Sequence, residues 1–220
     1  MSGTDEAHPD RPDGPVAAHY FDPVPTTGSA PSTVELHLPD VSLRLATDTG
    51  VFSGSSVDVG TKILLADSPP VRSGSRTIVD VGCGYGPIAL TLAKRAPEAT
   101  IWAVDVNRRA RELCTANAVA AGVANVTVIA PEDFPDDLVI DEIWSNPPIR
   151  IGKPALHGLL TTWLDRLGDD GVARFVVQKH LGADSLASWL AAQGWPTTRL
   201  SSKRPYRLLE VTARGLTRTN

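Results

Sequence analysis

The feature that most restricts the fold of this chain is a regular alternation of strand-like and helix-like segments that begins at Arg76. Short apolar runs are typical of buried strands, and the stretches between them place apolar residues on one helical face. Strands that alternate with helices form a parallel sheet that helices cover on both faces. We therefore predict an α/β fold. The predicted strands are 78–81, 100–104, 126–129, 139–144 and 172–177, with a terminal pair at 197–200 and 208–212. Four helices are predicted between them. The first begins at Pro87, the second is capped by Asn107 and ends at Gly122, and the others cover 154–167 and 185–192.

The first 70 residues have a different character. Residues 1–30 are rich in Pro, Gly, Asp and Thr and have few apolar side chains, so we expect an acidic, mostly disordered tail. Segments 34–38 and 41–45 alternate apolar and polar residues, which predicts a small β-hairpin, and a helix is expected over 57–66. The predicted organisation is a tail at 1–30 and a single domain at 31–220, with the hairpin and helix at 31–70 and the α/β core at 76–220.

Composition excludes several functional classes. The two cysteines, Cys83 and Cys114, are too few for a disulfide framework, and no cluster of residues has metal-ligand spacing, so no metal is expected. No apolar run could span a bilayer and the N-terminus does not resemble a signal peptide, so we expect a cytoplasmic protein without a membrane partner. Residues 199–218 contain six basic residues and one acidic residue, a balance that suits phosphate groups.

A glycine-rich turn, Asp80-Val81-Gly82-Cys83-Gly84-Tyr85-Gly86, follows the first predicted strand of the core. Missing side chains allow a ligand to approach the backbone closely. The dinucleotide fingerprint G-x-G-x-x-G does not fit, because the third glycine comes one residue early and Pro87 removes a donor that a pyrophosphate would need. Asp105 ends the next strand, where a carboxylate can accept both hydroxyls of a ribose. The pattern favours a nucleoside that lacks a phosphate.

A second turn, Asn146-Pro147-Pro148, ends the apolar run 138–144. Adjacent prolines leave two peptide units without an N–H group, and the residue before each proline is held in an extended conformation. The sequence therefore predicts a rigid corner that presents an amide side chain and bare carbonyl groups. Such a corner could bind an amino group through its N–H bonds. Both turns fall at strand carboxyl ends, where open α/β sheets bind their ligands.

These motifs resemble those of the class I S-adenosylmethionine-dependent methyltransferases and, more narrowly, of the RsmC-like group of bacterial 16S ribosomal RNA guanine-N2 methyltransferases. The resemblance implies a Rossmann-like, doubly wound, seven-stranded and mostly parallel sheet with helices on both faces. It also implies S-adenosyl-L-methionine as the cofactor. The matching segments are His19-Tyr20-Phe21, Thr49-Gly50-Val51-Phe52-Ser53, Asp58-Val59-Gly60-Thr61, Asp80 to Pro87, and Asn146-Pro147-Pro148-Ile149-Arg150 with Gly152-Lys153.

The resemblance assigns cofactor-binding roles to several residues. Gly82 and Gly84 would make room for the methionine part, Asp80 would order the loop and meet the cofactor amino group, and Asp105 would hold the ribose. Either Glu132 or Asp133 would meet the adenine amine, with Asp133 preferred. Asp58 and Gly60 would close the cofactor pocket from the N-terminal side. Tyr85 would cover the methionine tail or pack in the core, and Asn146 is the last of the implied cofactor residues.

The resemblance also implies a catalytic role for Asn146, Pro147 and Pro148. The Asn146 side-chain oxygen and the Pro147 carbonyl would accept the two N–H bonds of an exocyclic amine and turn its lone pair toward the methyl group. Ile149 stands where an aromatic residue is common, so Phe52 or Trp144 could supply an aromatic surface instead, with a place in the core favoured for Trp144. Candidate contacts to the substrate are Phe52, Ile149, Arg150, Lys153, Lys203 and Arg204.

The resulting functional prediction is methyl transfer to an exocyclic amino nitrogen, with guanine N2 of ribosomal RNA as the favoured target. Adenine N6 and a protein glutamine amide present similar N–H bonds and stay open as alternatives. A non-catalytic RNA- or cofactor-binding module is an alternative of another class. The expected partner is ribosomal RNA or the small ribosomal subunit, and a monomer is preferred over an oligomer.

Overall fold

The computed structural model describes residues 28–203 and 205–215. The predicted disordered tail falls almost entirely on residues 1–27, which lie outside the described residues. Two antiparallel strands come first, β1 (Ser32–His37) and β2 (Ser42–Thr47). Their inward residues, such as Leu36 and Leu45, are fully buried while alternate residues are exposed. This two-stranded sheet confirms the predicted hairpin.

The seven strands of the main sheet lie in the order β5-β4-β3-β6-β7-β9-β8. All neighbouring pairs are parallel except those that β9 makes with β7 and β8. The predicted seven-stranded, mostly parallel, Rossmann-like sheet is confirmed. Its strands are β3 (Thr77–Val81), β4 (Thr100–Val104), β5 (Val126–Ile129), β6 (Ile140–Ser145), β7 (Leu167–Gln178), β8 (Thr197–Ser201) and β9 (Tyr206–Thr212).

Five α-helices cover the two faces of this sheet. They are α1 (Val59–Asp67), α2 (Pro87–Arg95), α3 (Arg108–Ala121), α4 (Lys153–Leu164) and α5 (Ala183–Ala192). Helices α1 to α3 and the hairpin contribute to one hydrophobic core, and α4 and α5 contribute to a second core on the opposite face. Among the residues that the structure describes, no helix has the length and apolar character needed to cross a membrane.

The strand order creates a switch point between β3 and β6. The chain moves outward from β3 through β4 to β5, and then returns to place β6 and β7 on the other side of β3. Neighbouring crossovers leave β3 and β6 in opposite directions there, which opens a crevice at their carboxyl ends. Asp80 pairs in register with Trp144, so the glycine turn and the Asn-Pro-Pro turn emerge side by side.

Candidate active site

The glycine turn after β3 forms an open cradle. Gly82 and Gly84 have φ angles of +76° and +56°, and a Cβ atom at either position would meet no atom within 4 Å. Gly86 serves packing instead, because its Cβ would lie 2.8 Å from the Cys114 sulfur and 2.5 Å from a Leu90 methyl group. The backbone at Gly82 and Gly84 is therefore open to a ligand, and positive φ angles there favour glycine.

Asp80 lies beneath this cradle and is fully buried. One carboxylate oxygen accepts a hydrogen bond from the Ala89 backbone N–H at 3.0 Å, which fixes the start of α2. The other oxygen, Oδ1, is buried without a hydrogen-bond partner. Burial raises the pKa of Asp80 to about 8, and the Asp105 charge adds to this rise while the Ala89 bond opposes it. An unpaired buried carboxylate oxygen is well suited to a cationic amine.

Asp105 follows β4 and connects two loops of the site. Its Oδ2 accepts from the Gly84 N–H at 2.9 Å, and its Oδ1 accepts from the Asn107 N–H at 2.8 Å. Burial raises the pKa of Asp105 although these two bonds oppose the rise. Each carboxylate oxygen has a further lone pair, so the side chain could accept ribose hydroxyls while it holds the turn.

Glu132 and Asp133 are exposed in the short 3₁₀ helix Pro131–Asp133 that follows β5. Because β5 is parallel to β4, both carboxylates lie at the same edge of the sheet as Asp105. Neither side chain has a hydrogen bond or an ion pair within residues 28–203 and 205–215. Both therefore stay candidates for the adenine amine.

The corner after β6 is tightly turned. The Ser145 hydroxyl donates to the Val81 carbonyl at 2.6 Å, which joins the ends of β6 and β3. Pro148 has φ −73° and ψ 74°, and the Ile149 N–H donates to the Pro147 carbonyl at 2.8 Å, so an inverse γ-turn forms. The Pro148 carbonyl also accepts, from Ile151 at 3.2 Å. The expectation of bare carbonyls is wrong, and Pro147 keeps one lone pair for a substrate.

Asn146 has its amide nitrogen bound and its amide oxygen open. Nδ2 donates to Asp58 Oδ2 at 2.8 Å and to Thr61 Oγ1 at 3.1 Å. No hydrogen bond from the described residues reaches Oδ1. A carboxylate can only accept, so the bond to Asp58 determines which end of the amide faces the crevice. The Asn146 oxygen is therefore available to N–H donors.

Asp58 and Gly60 lie at the start of α1. The Asp58 carboxylate caps this helix by accepting from the Thr61 N–H at 3.2 Å. A Cβ at Gly60 would come within 2.8 Å of both Asp58 Oδ2 and the Tyr206 ring, so Gly60 permits close packing. The structure shows Asp58 bonded to Asn146, and the cofactor contacts of Asp58 and Gly60 stay predictions.

The aromatic candidates differ in exposure. Tyr85 is 2% exposed, and its hydroxyl donates to the Ser53 carbonyl at 3.4 Å. Trp144 is 1% exposed and donates from its indole to Glu142, which confirms the favoured core position and excludes Trp144 as a surface for a base. Phe52 is 48% exposed in the loop after β2. Phe52 is thus the aromatic residue of this group that a substrate could reach.

Basic side chains lie near the carboxyl ends of β6 and β7. Arg150 and Lys153 are exposed, and neither has an ion pair with another described residue. Lys203 is bound to Asp67 at 2.7 Å, at the far end of α1 and so about 13 Å from Asp58. Arg204 lies outside the described residues. Arg150 and Lys153 thus lie in the segment that directly follows the Asn-Pro-Pro corner, whereas Lys203 is bound at the far end of α1.

Sequence reasoning missed three residues that shape the site. Thr61 binds the Asn146 amide. Asn117 on α3 is 3% exposed and donates to the carbonyls of Tyr85 and Ala46, which ties the glycine turn to the hairpin. Lys179 is exposed directly after β7, and its N–H donates to the Pro205 carbonyl at 2.7 Å. The one available signal was at Asn117, a polar residue on the apolar face of a helix.

Residues 42–208 match the family model described as the methyltransferase small domain. The chain belongs to that family. Among curated proteins, this chain is similar to an uncharacterised protein, YbxB, of Bacillus subtilis, with 33% identity over 89% of this chain and 98% of that protein. The ribosomal RNA small subunit methyltransferase C of Shewanella halifaxensis is 32% identical over 68% of this chain. This chain spans only 44% of that longer relative.

A similar solved structure is the T. thermophilus 16S rRNA N2 G1207 methyltransferase (RsmC) in complex with AdoMet and guanosine. The TM-score is 0.72 with 20% identity, over 86% of this chain and 52% of that one, and it supports the methyltransferase fold.

The cofactor that the sequence predicts for this small-domain methyltransferase is S-adenosyl-L-methionine. The site fits this molecule, because the cradle at Gly82 and Gly84 is open and Asp80 has an unpaired oxygen beneath it.

Proposed function

We propose that this methyltransferase modifies an exocyclic amino nitrogen of a nucleobase in ribosomal RNA, with guanine N2 as the target. The observation that carries the proposal is the state of Asn146. Its amide nitrogen is bound by Asp58 and Thr61, and its oxygen is open at the switch point beside the glycine cradle. An acceptor at this position can bind an amine through N–H bonds.

The chain's own residues supply geometry and charge stabilisation. S-adenosylmethionine, when bound, supplies an electrophilic methyl group on a sulfonium. Asn146 Oδ1 and the second lone pair of the Pro147 carbonyl accept the two N–H bonds of the amine, which directs the nitrogen lone pair out of the base plane. The same oxygens stabilise the positive charge that develops on nitrogen as the N–C bond forms and the S–C bond breaks. The proton then leaves to water, so no strong base is required.

The charge distribution at this edge of the sheet supports a polyanionic substrate. Acidic groups, Asp105, Glu132 and Asp133, follow β4 and β5, where the nucleoside would bind. Exposed cations, Arg150, Lys153 and Lys179, follow β6 and β7. RNA phosphates suit such cations, and a base must be unpaired or extruded to reach a crevice of this kind. The Shewanella halifaxensis relative is named as a ribosomal RNA methyltransferase, and we accordingly expect activity in the cytoplasm.

Transfer of a tritiated methyl group to purified ribosomes tests the proposal. We expect label in RNA that nuclease digestion releases as N2-methylguanosine. Asn146→Ala should lower turnover by about 100-fold while calorimetry shows unchanged cofactor binding, because the lost acceptor contacts the reacting amine.

Other outcomes would overturn the proposal. Label released as N6-methyladenosine, or only as peptide after protease digestion, would support an adenine or glutamine target. Equal label with wild type and Asn146→Ala would refute the role of the corner. No label in any acceptor would support a binding module.

A further inference from the structure

The structure assigns Asp58 a positioning role: its carboxylate holds the Asn146 amide in the orientation that presents oxygen to the substrate amine. This inference rests on the proposed function and deepens it. The two residues are 88 positions apart in sequence and meet at 2.8 Å across the crevice. Nothing in the local sequence of either motif specifies this contact.

The orientation of an asparagine amide matters because its two ends are opposite in hydrogen-bonding character. The oxygen accepts and the nitrogen only donates. If the amide rotated by half a turn, two N–H groups would face the two N–H groups of the substrate amine. The Asp58 carboxylate cannot donate, so this rotated state would place the Asn146 oxygen against a negative charge.

Thr61 reinforces the same orientation. Its hydroxyl oxygen lies 3.1 Å from Nδ2, and the residue is 4% exposed, so water does not compete readily for this contact. Both N–H bonds of the Asn146 amide are therefore bound by one helical turn. Asp58 also caps this helix, because its Oδ2 accepts a hydrogen bond from the Thr61 N–H at 3.2 Å. A charged acceptor also polarises the amide and strengthens Oδ1 as an acceptor.

Gly60 connects this arrangement to the sheet. A Cβ there would lie 2.8 Å from Asp58 Oδ2 and 2.8 Å from the Tyr206 ring at the start of β9. The absence of a side chain lets the ring pack directly against the turn that carries Asp58. The position of the carboxylate is thus defined by the helix cap on one side and by β9 on the other.

Two substitutions separate the positioning role from the helix cap. Asp58→Ser retains a good capping residue, but its hydroxyl is too short to reach Asn146. Asp58→Asn retains both contacts, because its amide oxygen can accept from Asn146 and from the Thr61 N–H. We expect Asp58→Ser to lower kcat by about 10- to 100-fold, as a slight misplacement of a reacting group does. Asp58→Asn keeps the acceptor and loses the charge, so its kcat should fall between those of wild type and Asp58→Ser, and neither variant should change the melting temperature or the cofactor dissociation constant appreciably.

A second readout does not depend on any methyl acceptor. The signal of the Asn146 side-chain amide is identified in ¹⁵N spectra by its loss in Asn146→Ala. Hydrogen exchange of this amide should be slow in wild type and in Asp58→Asn. Exchange should be about tenfold faster in Asp58→Ser, because a bound donor becomes free. Thr61→Val provides an independent variant and should accelerate exchange to a smaller extent.

Unchanged exchange in Asp58→Ser would refute the contact, and unchanged kcat would refute its importance for catalysis. A weakened cofactor affinity with normal kcat would make Asp58 a cofactor-binding residue instead. If wild type methylates no acceptor, the proposed function fails and the catalytic role of Asp58 fails with it, whereas the exchange rates report separately on the contact itself.

Discussion

At the scale of single residues, burial strongly alters the ionisation of Asp80. It is fully buried, it accepts one hydrogen bond from Ala89, and burial raises its pKa to about 8. In the unfolded chain an aspartate has a pKa of about 3.9. The folded state therefore binds a proton that the unfolded state releases throughout the range between these two values. The contribution of Asp80 to stability is fully present below about pH 4 and is lost as the pH rises through about 8.

Asp80→Asn should remove this pH dependence. The carboxamide oxygen can still accept from the Ala89 N–H, so the start of α2 is preserved. We expect the free energy of unfolding of wild type to fall relative to the variant by about 1.4 kcal/mol per pH unit between pH 5 and 8. Urea unfolding of both proteins at several pH values measures this difference. If the free energies of unfolding of wild type and Asp80→Asn changed with pH in the same way, the pKa of Asp80 would not be raised in the folded protein.

The same substitution should lower the affinity for the cofactor, although it should raise stability above pH 5 relative to wild type. If the unpaired oxygen of Asp80 receives the cofactor amine, Asp80→Asn should weaken binding by about 10-fold or more, since a charge-assisted bond is lost. Calorimetry at pH 8 measures this affinity. A variant that is more stable and yet binds cofactor less tightly would show that the buried carboxylate is retained for binding.

The sequence predicted which side chains come together at this edge of the sheet only where one motif contains the whole signal. Asp105 could be placed because it ends a strand shortly after a glycine turn, and both of its observed bonds are to nearby loops. The contact from Asp58 to Asn146 could not be predicted, because it joins segments 88 residues apart. The Pro147 carbonyl was expected to be bare because proline chemistry indicates missing donors, but it does not show that Ile149 folds back to donate.

At the scale of elements, the carboxyl-end edge of the sheet has exposed cations after β6 and β7 and acidic residues after β4 and β5. Lys179 is exposed there without an ion pair in the part of the chain that the structure describes. Lys179→Ala should weaken RNA binding and lower the slope of log K against log salt by about 0.7, the value for one phosphate contact in a single strand. Fluorescence anisotropy with an RNA fragment at several salt concentrations measures this slope.

Arg76→Ala is the matched control for that experiment. Arg76 is exposed directly before β3, at the amino-end edge of the sheet, so its loss removes the same charge from the opposite side. We expect its salt slope to equal that of wild type. If Lys179→Ala and Arg76→Ala lowered the salt slope by the same amount, RNA binding would depend only on net charge and not on the position of Lys179.

The elements themselves were largely predictable, because their periodicities are local. Strands β4 and β5 begin and end where the sequence predicts, and α3 is capped by Asn107 and ended by Gly122 as predicted. Strand β7 departs most, since it begins at Leu167 and not at 172, and the preceding helix ends at Leu164 and not at 167 as predicted. Its first residues include Gly168, Asp169 and Asp170, which are unusual in strands, and the register shifts between Ile140 and Glu142 opposite them. Partner strands impose this extension against local preference.

At the scale of the whole molecule, a buried ion cluster ties the middle of the sheet together. Glu142 on β6 is fully buried and accepts from Arg174 on β7 at 2.6 Å, and Arg174 also donates to Glu210 on β9 at 3.0 Å. Glu142 further accepts from the Ser75 hydroxyl at 2.9 Å and from the Arg72 N–H at 2.6 Å. Three strands and the loop before β3 thus share one network, about 13 Å along β6 from Asn146.

Breaking this network should destabilise the protein without altering its site. Glu142→Gln leaves the Arg174 guanidinium, 2% exposed, with one carboxylate, and we expect a loss of about 3–5 kcal/mol in the free energy of unfolding. Adding Arg174→Met removes a buried guanidinium that has lost one of its two carboxylate partners and leaves Glu210 partly solvated, so the double variant should recover part of the loss. Glu98→Gln, at an exposed surface position, should unfold like wild type. Urea unfolding measures stability, and calorimetry well below the transition should find the cofactor affinity unchanged. A double variant less stable than Glu142→Gln would show that Arg174 stabilises the sheet through its packing over the Trp144 ring at 4.8 Å, and not through its charge.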